Sequence, residues 1–142
     1  MKVTNPFSTV SILLPEDVLE SNEDNVFSYW KKGDTCLLQL SRFPQPGARS
    51  SAKQYLTERT MIHGNWKPFE LPGKPQGCEF AAATMVSDQG TSFVQVYLVW
   101  PSFVVHATVS LQRQLEVCEW VWESLASVRA VKPNASLLRS IA

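Results

Sequence analysis

The stretch that decides the fold is Thr91-Ser-Phe-Val-Gln-Val-Tyr-Leu-Val-Trp-Pro-Ser-Phe-Val-Val-His-Ala-Thr-Val-Ser110. It contains two runs rich in β-branched and aromatic residues, which Pro101 and Ser102 separate. In the second run apolar residues occupy every odd position from 103 to 109, the period of a strand with one buried face. Proline cannot donate to a sheet ladder, so Pro101 predicts a turn between two antiparallel strands. The stretch predicts a central β-hairpin and carries no catalytic motif.

Shorter runs on both sides of this hairpin predict further strands. We expect strands over Val10 to Leu14, Val26 to Trp30, Thr35 to Phe43 and Cys78 to Val86, and a short edge strand over Trp66 to Leu71. Lys31 to Asp34 is predicted to be a hairpin turn, because Gly33 can adopt a positive φ. The acidic segment Glu16 to Asn25 is expected to form a solvated loop or helical turn.

Two segments are predicted to be helical. Ser51-Ala-Lys-Gln54 matches a capping box, so the first helix is expected to run from about Ala52 to His63 and to end at Gly64. The second spans Leu115 to Val131, where apolar residues recur at helical spacing on one face. Strands in runs with few helices between them exclude a doubly wound parallel sheet. The sequence therefore predicts an α+β fold in which helices pack on a twisted antiparallel sheet.

The composition is that of a single globular domain. With 142 residues, 44% hydrophobic and 18% charged, the chain is long and apolar enough to bury one core, which we place in residues 1–131 before a loosely ordered tail, 132–142. Thirteen basic residues balance thirteen acidic ones, so the basic field that nucleic-acid binding requires is missing. No apolar run reaches the length of a membrane span.

The cysteines and the first residues suggest a location. Cys36, Cys78 and Cys118 are an odd number without a close pair, which does not indicate a disulfide framework. Met1 to Phe7 lack the apolar region of a signal peptide. From both observations we expect a cytoplasmic protein with reduced cysteines.

The sequence offers little to a catalytic or metal site. His63 is predicted to lie at a helix C-terminus, and His106 lies in a strand without a nucleophile or carboxylate motif beside it. The cysteines are too far apart for the clustered ligands of a zinc site, and the glycines form no phosphate-binding loop. We therefore expect no catalytic residues, no metal and no cofactor.

The five tryptophans are a heavy load for this length. Trp120 falls among glutamates on the second predicted helix, and Trp30 lies beside two lysines at a strand end, so both are predicted to be exposed. Exposed tryptophan is enriched at interface hot spots. Trp120, Trp30 and Trp66 are therefore candidate protein-binding residues, with packing under a loop as the alternative for each.

The order of these elements resembles that of the PsbP-like family. The resemblance lies in the strand that ends in Leu13-Leu14-Pro15, the hairpin from Tyr29-Trp30 to Leu37-Leu38-Gln39-Leu40, and the two helices. It implies an α/β/α sandwich around an antiparallel sheet. Characterised members, including DcrB-type proteins and chaperones of secretion effectors, mostly bind proteins and perform no chemistry, but fold alone does not fix function.

Two hypotheses follow from the sequence. The first is a non-catalytic protein-binding module of a bacterial-type cytoplasmic protein, which acts as an adaptor, secretion chaperone or immunity-like partner, or which self-associates. The alternative is a small-ligand-binding or enzymatic domain with a pocket between the sheet and the loop at residues 65–77. Tyr55, Arg59 and His106 are the candidate residues of that pocket.

Overall fold

The computed structural model describes residues 1–45, 50–112 and 118–131 of the chain. Within these ranges the chain forms ten strands: β1 (Lys2–Thr4), β2 (Val10–Leu14), β3 (Val18–Glu23), β4 (Val26–Lys31), β5 (Cys36–Pro44), β6 (Lys67–Pro68), β7 (Glu79–Val86), β8 (Ser92–Val99), β9 (Phe103–Leu111) and β10 (Arg129–Ala130). The helices are α1 (Ala52–Leu56), which continues as a π-helical turn (Thr57–Met61), and α2 (Glu119–Ala126), with a 3₁₀ turn at Pro6–Ser8. The architecture is α+β.

The central hairpin is confirmed. Strands β8 and β9 pair antiparallel from Ser92 with Leu111 to Val99 with Val104, and Trp100 N–H bonds to the carbonyl of Phe103 at 3.0 Å across the turn. They lie in a seven-stranded antiparallel sheet of order β3-β4-β5-β9-β8-β7-β6. A second, three-stranded sheet has the order β1-β2-β10.

Alternation gives the large sheet two different faces. The core face carries side chains such as Leu38, Val96 and Val109, each fully buried. The three-stranded sheet and α2 cover this face, since Ile12 and Val121 belong to the same apolar cluster. This is the main core of the protein.

Helix α1 packs on the opposite side, which we call the outer face. Ser51 Oγ accepts the backbone N–H of Gln54 at 3.1 Å, so the predicted N-cap is confirmed. Leu56 and Tyr97 belong to a second, smaller cluster beneath the helix. The helix covers only one end of the outer face. Together, α1 and α2 lie on opposite sides of the sheet.

The prediction of a loop or helical turn over Glu16 to Asn25 is wrong. Residues 18–23 form β3, which pairs with β4 along its whole length although only Val18 is buried. Asp24 and Asn25 both have positive φ, 53° and 62°, as the two-residue turns of tight hairpins require. Backbone pairing, rather than side-chain burial, holds this edge strand.

The second helix is shorter than predicted. It covers Glu119–Ala126, and β10 follows it where the helix was expected to continue. Residues 113–117 and the tail at 132–142 lie outside the described residues. The predictions for the start of this helix and for the tail therefore stay predictions. In the described part of the chain, no helix is long and apolar enough to cross a membrane.

Two cysteines are joined, contrary to the prediction of reduced thiols. Cys36 at the start of β5 and Cys118 before α2 form a disulfide, with their Cα atoms 6.5 Å apart. That separation is within the range that disulfides adopt. The pair escaped the sequence analysis because 82 residues separate the two cysteines, and the fold alone brings them together.

Candidate functional site

An apolar row crosses the open end of the outer face. Strand register aligns six residues on six neighbouring strands, in the order Leu19, Trp30, Leu37, Ser110, Phe93 and Met85. All but Ser110 are apolar. We call this set the apolar row.

The members of the apolar row belong to neither core. Leu19 is 47% exposed, and Trp30, Leu37, Phe93 and Met85 are half-buried. None of them packs in the main core or in the cluster under α1, within the described residues. Their apolar character is therefore not explained by core packing.

A row of small polar residues lies next to the apolar row on the same face. In register order it contains Ser21, Ser28, Gln39, Thr108 and Gln95. Gln39 Nε2 donates to Ser28 Oγ at 3.2 Å, and Thr108 Oγ1 donates to Gln95 Oε1 at 3.2 Å. These side chains partly satisfy one another's hydrogen-bonding groups. Because none of them is charged, a partner would not have to desolvate a charge on this part of the face.

The three candidate tryptophans lie in different environments. Trp30 lies in the apolar row. Trp66 is half-buried and packs against the cluster under α1. The predicted exposure of Trp120 is wrong, because its side chain is 8% exposed and lies in the main core. Its indole N–H donates to Asp34 at 2.9 Å.

The error for Trp120 has a physical cause. The prediction assumed that α2 packs on one surface, which leaves the opposite side to solvent. Instead α2 is buried on most of its circumference, since Trp120, Val121, Trp122, Ser124 and Leu125 are all buried. Only its glutamates, at 119 and 123, are exposed.

Tyr55, Arg59 and His106 are brought together at the other end of the outer face. The rings of Tyr55 and His106 are both stacked on that of Tyr97, with ring centres 6.3 Å and 4.6 Å from it. The guanidinium of Arg59 lies 4.1 Å from the ring centre of Phe43 and 5.6 Å from that of Tyr55. The result is an aromatic cluster with a cation over two of its rings.

His106 is held as a neutral, structural side chain. Its Nε2 contacts Gln95 Oε1. Burial, and secondarily the positive charge of Arg59, lowers the pKa of His106 from 6.5 to about 4. Its bonded partner is an amide, whereas a catalytic triad needs a nucleophile and a carboxylate.

Two cavities flank the π-helical turn. Arg59, Trp66 and His106 line a small one of about 180 Å³. A groove of about 780 Å³ lies between α1, β7 and residues 68–74, which is the predicted location between the sheet and the 65–77 segment. Tyr55, Arg59 and His106 do not line this groove.

One set of metal-ligating side chains comes together in the described part of the chain. One ligand atom from each of Asp34, Cys36 and Cys118 lies within 4.8 Å of the others. Metals bind the thiolate form of cysteine, and both sulfurs are joined in a disulfide. With the disulfide formed, this set offers a single carboxylate.

The sequence analysis missed most of the apolar row. Leu19 lies in the segment predicted to be a loop or helical turn, and Leu37, Phe93 and Met85 have the pattern of ordinary strand residues. Period-two alternation was the available signal, since it separates Leu37 from Leu38 on β5. Register between strands was needed to align these residues, and it appears only in the structure.

Comparisons with known proteins add a fold and no function. No protein-family profile and no curated protein matches the chain. A structure solved at 1.50 Å of a protein from Bacteroides thetaiotaomicron VPI-5482 is similar, with a TM-score of 0.60 and 15% identity. The similarity covers 99% of this chain and 56% of that protein, so the chain spans about half its length. The shared α+β fold is what this likeness shows.

Proposed function

We propose that the protein is a non-catalytic protein-binding module that contacts its partner through the apolar row. The observation that carries the proposal is the alignment of five apolar side chains across six strands, on a part of the outer face that no described element covers. Apolar side chains that remain partly exposed side by side on one face are typical of interaction sites.

The chemistry of the face supports a protein partner. Trp30 lies near one end of the row, and tryptophan is the type of residue that dominates hot spots because one rigid side chain buries a large area. Neither the apolar row nor the polar row beside it contains a charged residue. Charged residues are likewise depleted in the central part of protein interfaces.

The role within this class is an adaptor, a secretion chaperone, an immunity-like partner or a self-associating protein. The resemblance to the PsbP-like family, which stays a prediction, supports such roles because its characterised members mostly bind proteins. The cytoplasmic location also stays a prediction, and the disulfide between Cys36 and Cys118 counts against it, because disulfides persist in oxidising compartments.

Two exposed leucines provide a matched test. Leu19 lies in the apolar row and is 47% exposed, whereas Leu13 lies on the three-stranded sheet and is 40% exposed. The tagged chain is purified from its native host, and the mass and stoichiometry of any complex, including a homomer, are measured by sedimentation. The expected result is a stoichiometric complex that Leu19→Ser weakens and that Leu13→Ser leaves unchanged.

Two outcomes contradict the proposal. One is a stoichiometric complex that both leucine variants retain at the same affinity, which would place the interface elsewhere. The other is a monomer without a partner that turns over a substrate in an activity screen, which would make the protein an enzyme.

A further inference from the structure

The groove beside α1 shares no residue with the apolar row. Its apolar lining consists mainly of Leu56, Met61, Phe69, Leu71, Phe80 and Ala82. Leu56, Leu71 and Ala82 are buried, and the others are half-buried. A volume of about 780 Å³ is typical of sites that enclose part of a ligand.

One edge of this groove is a strand with a free hydrogen-bonding position. The N–H of Ser87 bonds to the carbonyl of Thr91 on the β8 side, and the carbonyl of Ala82 accepts from Phe69 N–H at 2.9 Å on the opposite side. The N–H and C=O of one strand residue point the same way, and successive residues alternate. The backbone N–H and C=O groups of odd-numbered residues of β7 therefore point towards β8. Those of Phe80, like those of Ala82, point away from it.

Within the described ranges, no strand residue lies opposite Phe80 on this side, because β6 stops before it reaches that position. Strand β6 ends at Pro68, and Phe69 N–H makes the last backbone bond to β7. Among the described residues, no bond to the outward N–H or C=O of Phe80 is formed. Phe80 also lines the groove, so a donor and an acceptor lie together beside apolar side chains.

The chain that follows Phe69 is held away from this edge. Leu71, which the register of β6 would bring opposite Phe80, is buried in the main core instead. Gly73 lies against α2, since a Cβ on it would lie 3.0 Å from Cβ of Ala126. The ring of Phe69 lies 5.5 Å from that of Trp122. The open edge is therefore fixed by packing on α2.

We propose that the groove binds an extended peptide segment that carries an apolar side chain. The segment pairs with the N–H and C=O of Phe80, as in β-strand addition, and its side chain enters the groove. An amide backbone supplies both the acceptor and the donor that Phe80 needs, which a hydrocarbon ligand does not. The lining includes Lys53, Lys74 and one carboxylate, Glu70, so a basic segment is disfavoured.

Neighbouring positions on the π-helical turn give a matched pair for the test. Thr57 and Glu58 are both exposed, but only Thr57 lines the groove. A phage library of random heptapeptides is selected against the full chain, and the enriched peptides are tested on Thr57→Trp and Glu58→Trp. We expect binding that Thr57→Trp reduces at least tenfold and Glu58→Trp leaves unchanged.

Amide exchange then reports the pairing itself. In the free protein the Phe80 N–H should exchange faster with D₂O than the Ala81 N–H, which faces β8, and a bound peptide should slow it at least tenfold. The proposal is overturned if no selected peptide distinguishes the two tryptophan variants, or if a peptide that does so leaves the exchange of Phe80 unchanged. A Leu19→Ser chain should bind these peptides normally, so this test and that of the apolar row fail independently.

Discussion

The indole N–H of Trp120 donates a 2.9 Å hydrogen bond to Oδ2 of Asp34, which lies 86 residues earlier in the chain. The other carboxylate oxygen of Asp34 accepts the backbone N–H of Thr35 at 2.7 Å. Two residues after Asp34, Cys36 is joined to Cys118. A hydrogen bond and a disulfide therefore connect the region of the β4–β5 turn to the start of α2.

Replacement of Trp120 should be costly. Because the side chain is buried in the main core, we expect Trp120→Ala to lower the free energy of unfolding by roughly 3–5 kcal/mol. The variant Trp120→Phe keeps one aromatic ring but lacks the N–H, so it should cost about 1 kcal/mol for the hydrogen bond plus a smaller loss from its reduced volume. Urea titration followed by circular dichroism measures both. A loss below about 1 kcal/mol for Trp120→Ala would mean that the side chain is on the surface.

Reduction of the disulfide should destabilise the fold. The disulfide links two residues 82 positions apart, and such a link restricts the unfolded chain. We therefore expect reduction to lower the free energy of unfolding by about 2–4 kcal/mol. The measurement is a urea titration with and without a phosphine reductant. The Cys78→Ser variant should respond as the wild type does, and Cys36→Ser should not respond. Three free thiols in the unreduced, denatured protein would contradict the account.

Acid should destabilise the protein through His106. In the unfolded chain this histidine takes up a proton as the pH falls through 6.5, whereas the folded protein resists protonation until the pKa of His106, about 4. Unfolding is therefore favoured as the pH falls through this window. The loss is on the order of 3 kcal/mol between pH 7 and pH 4.

Acid affects other groups of the protein as well, so the contribution of His106 is isolated with a variant. His106→Gln keeps a hydrogen-bonding side chain and does not titrate, and its stability should fall less steeply than that of the wild type between pH 6.5 and 4. Denaturant titrations at several pH values give the two curves. Parallel curves would show that His106 is not protected in the folded state.

Cys78 should be a slow nucleophile. Burial raises the pKa of its thiol to about 11, while the nearby Arg129 acts in the opposite direction. At pH 8 we expect alkylation by iodoacetamide to be on the order of 100-fold slower in the folded protein than in urea, because the thiolate is the reactive form. The rate should rise about tenfold per pH unit. Equal rates in both states would refute the burial of this thiol.

Local signals in the sequence predicted much of the fold. Pro101 marked the turn of the central hairpin, and Ser51 identified the start of α1, because a turn and a helix cap depend on neighbouring residues. The strand that contains Leu19 was not predicted, because an edge strand held by backbone pairing shows little apolar alternation. Trp120 and the Cys36–Cys118 pair depend on which distant elements enclose α2, and no local pattern contains that information.

The candidate site was predicted only in part. Trp30 was selected as an exposed tryptophan, and the structure places it in the apolar row. Tyr55, Arg59 and His106 do lie together, yet they form an aromatic cluster beside a small cavity rather than the lining of the groove. Helical and strand spacing brought these residues to one face, but the packing of their rings follows from the tertiary contacts with Tyr97.

The central claim is that the apolar row is a protein-binding surface, and Trp30 tests it most directly. The measurement is the dissociation constant of the complex that the wild-type chain forms, whether with another protein or with a second copy, compared with that of Trp30→Ser. We expect the variant to unfold cooperatively and to bind at least about 30-fold more weakly, a loss of about 2 kcal/mol typical of a hot spot. An unchanged dissociation constant, in a variant that is folded, would contradict the account.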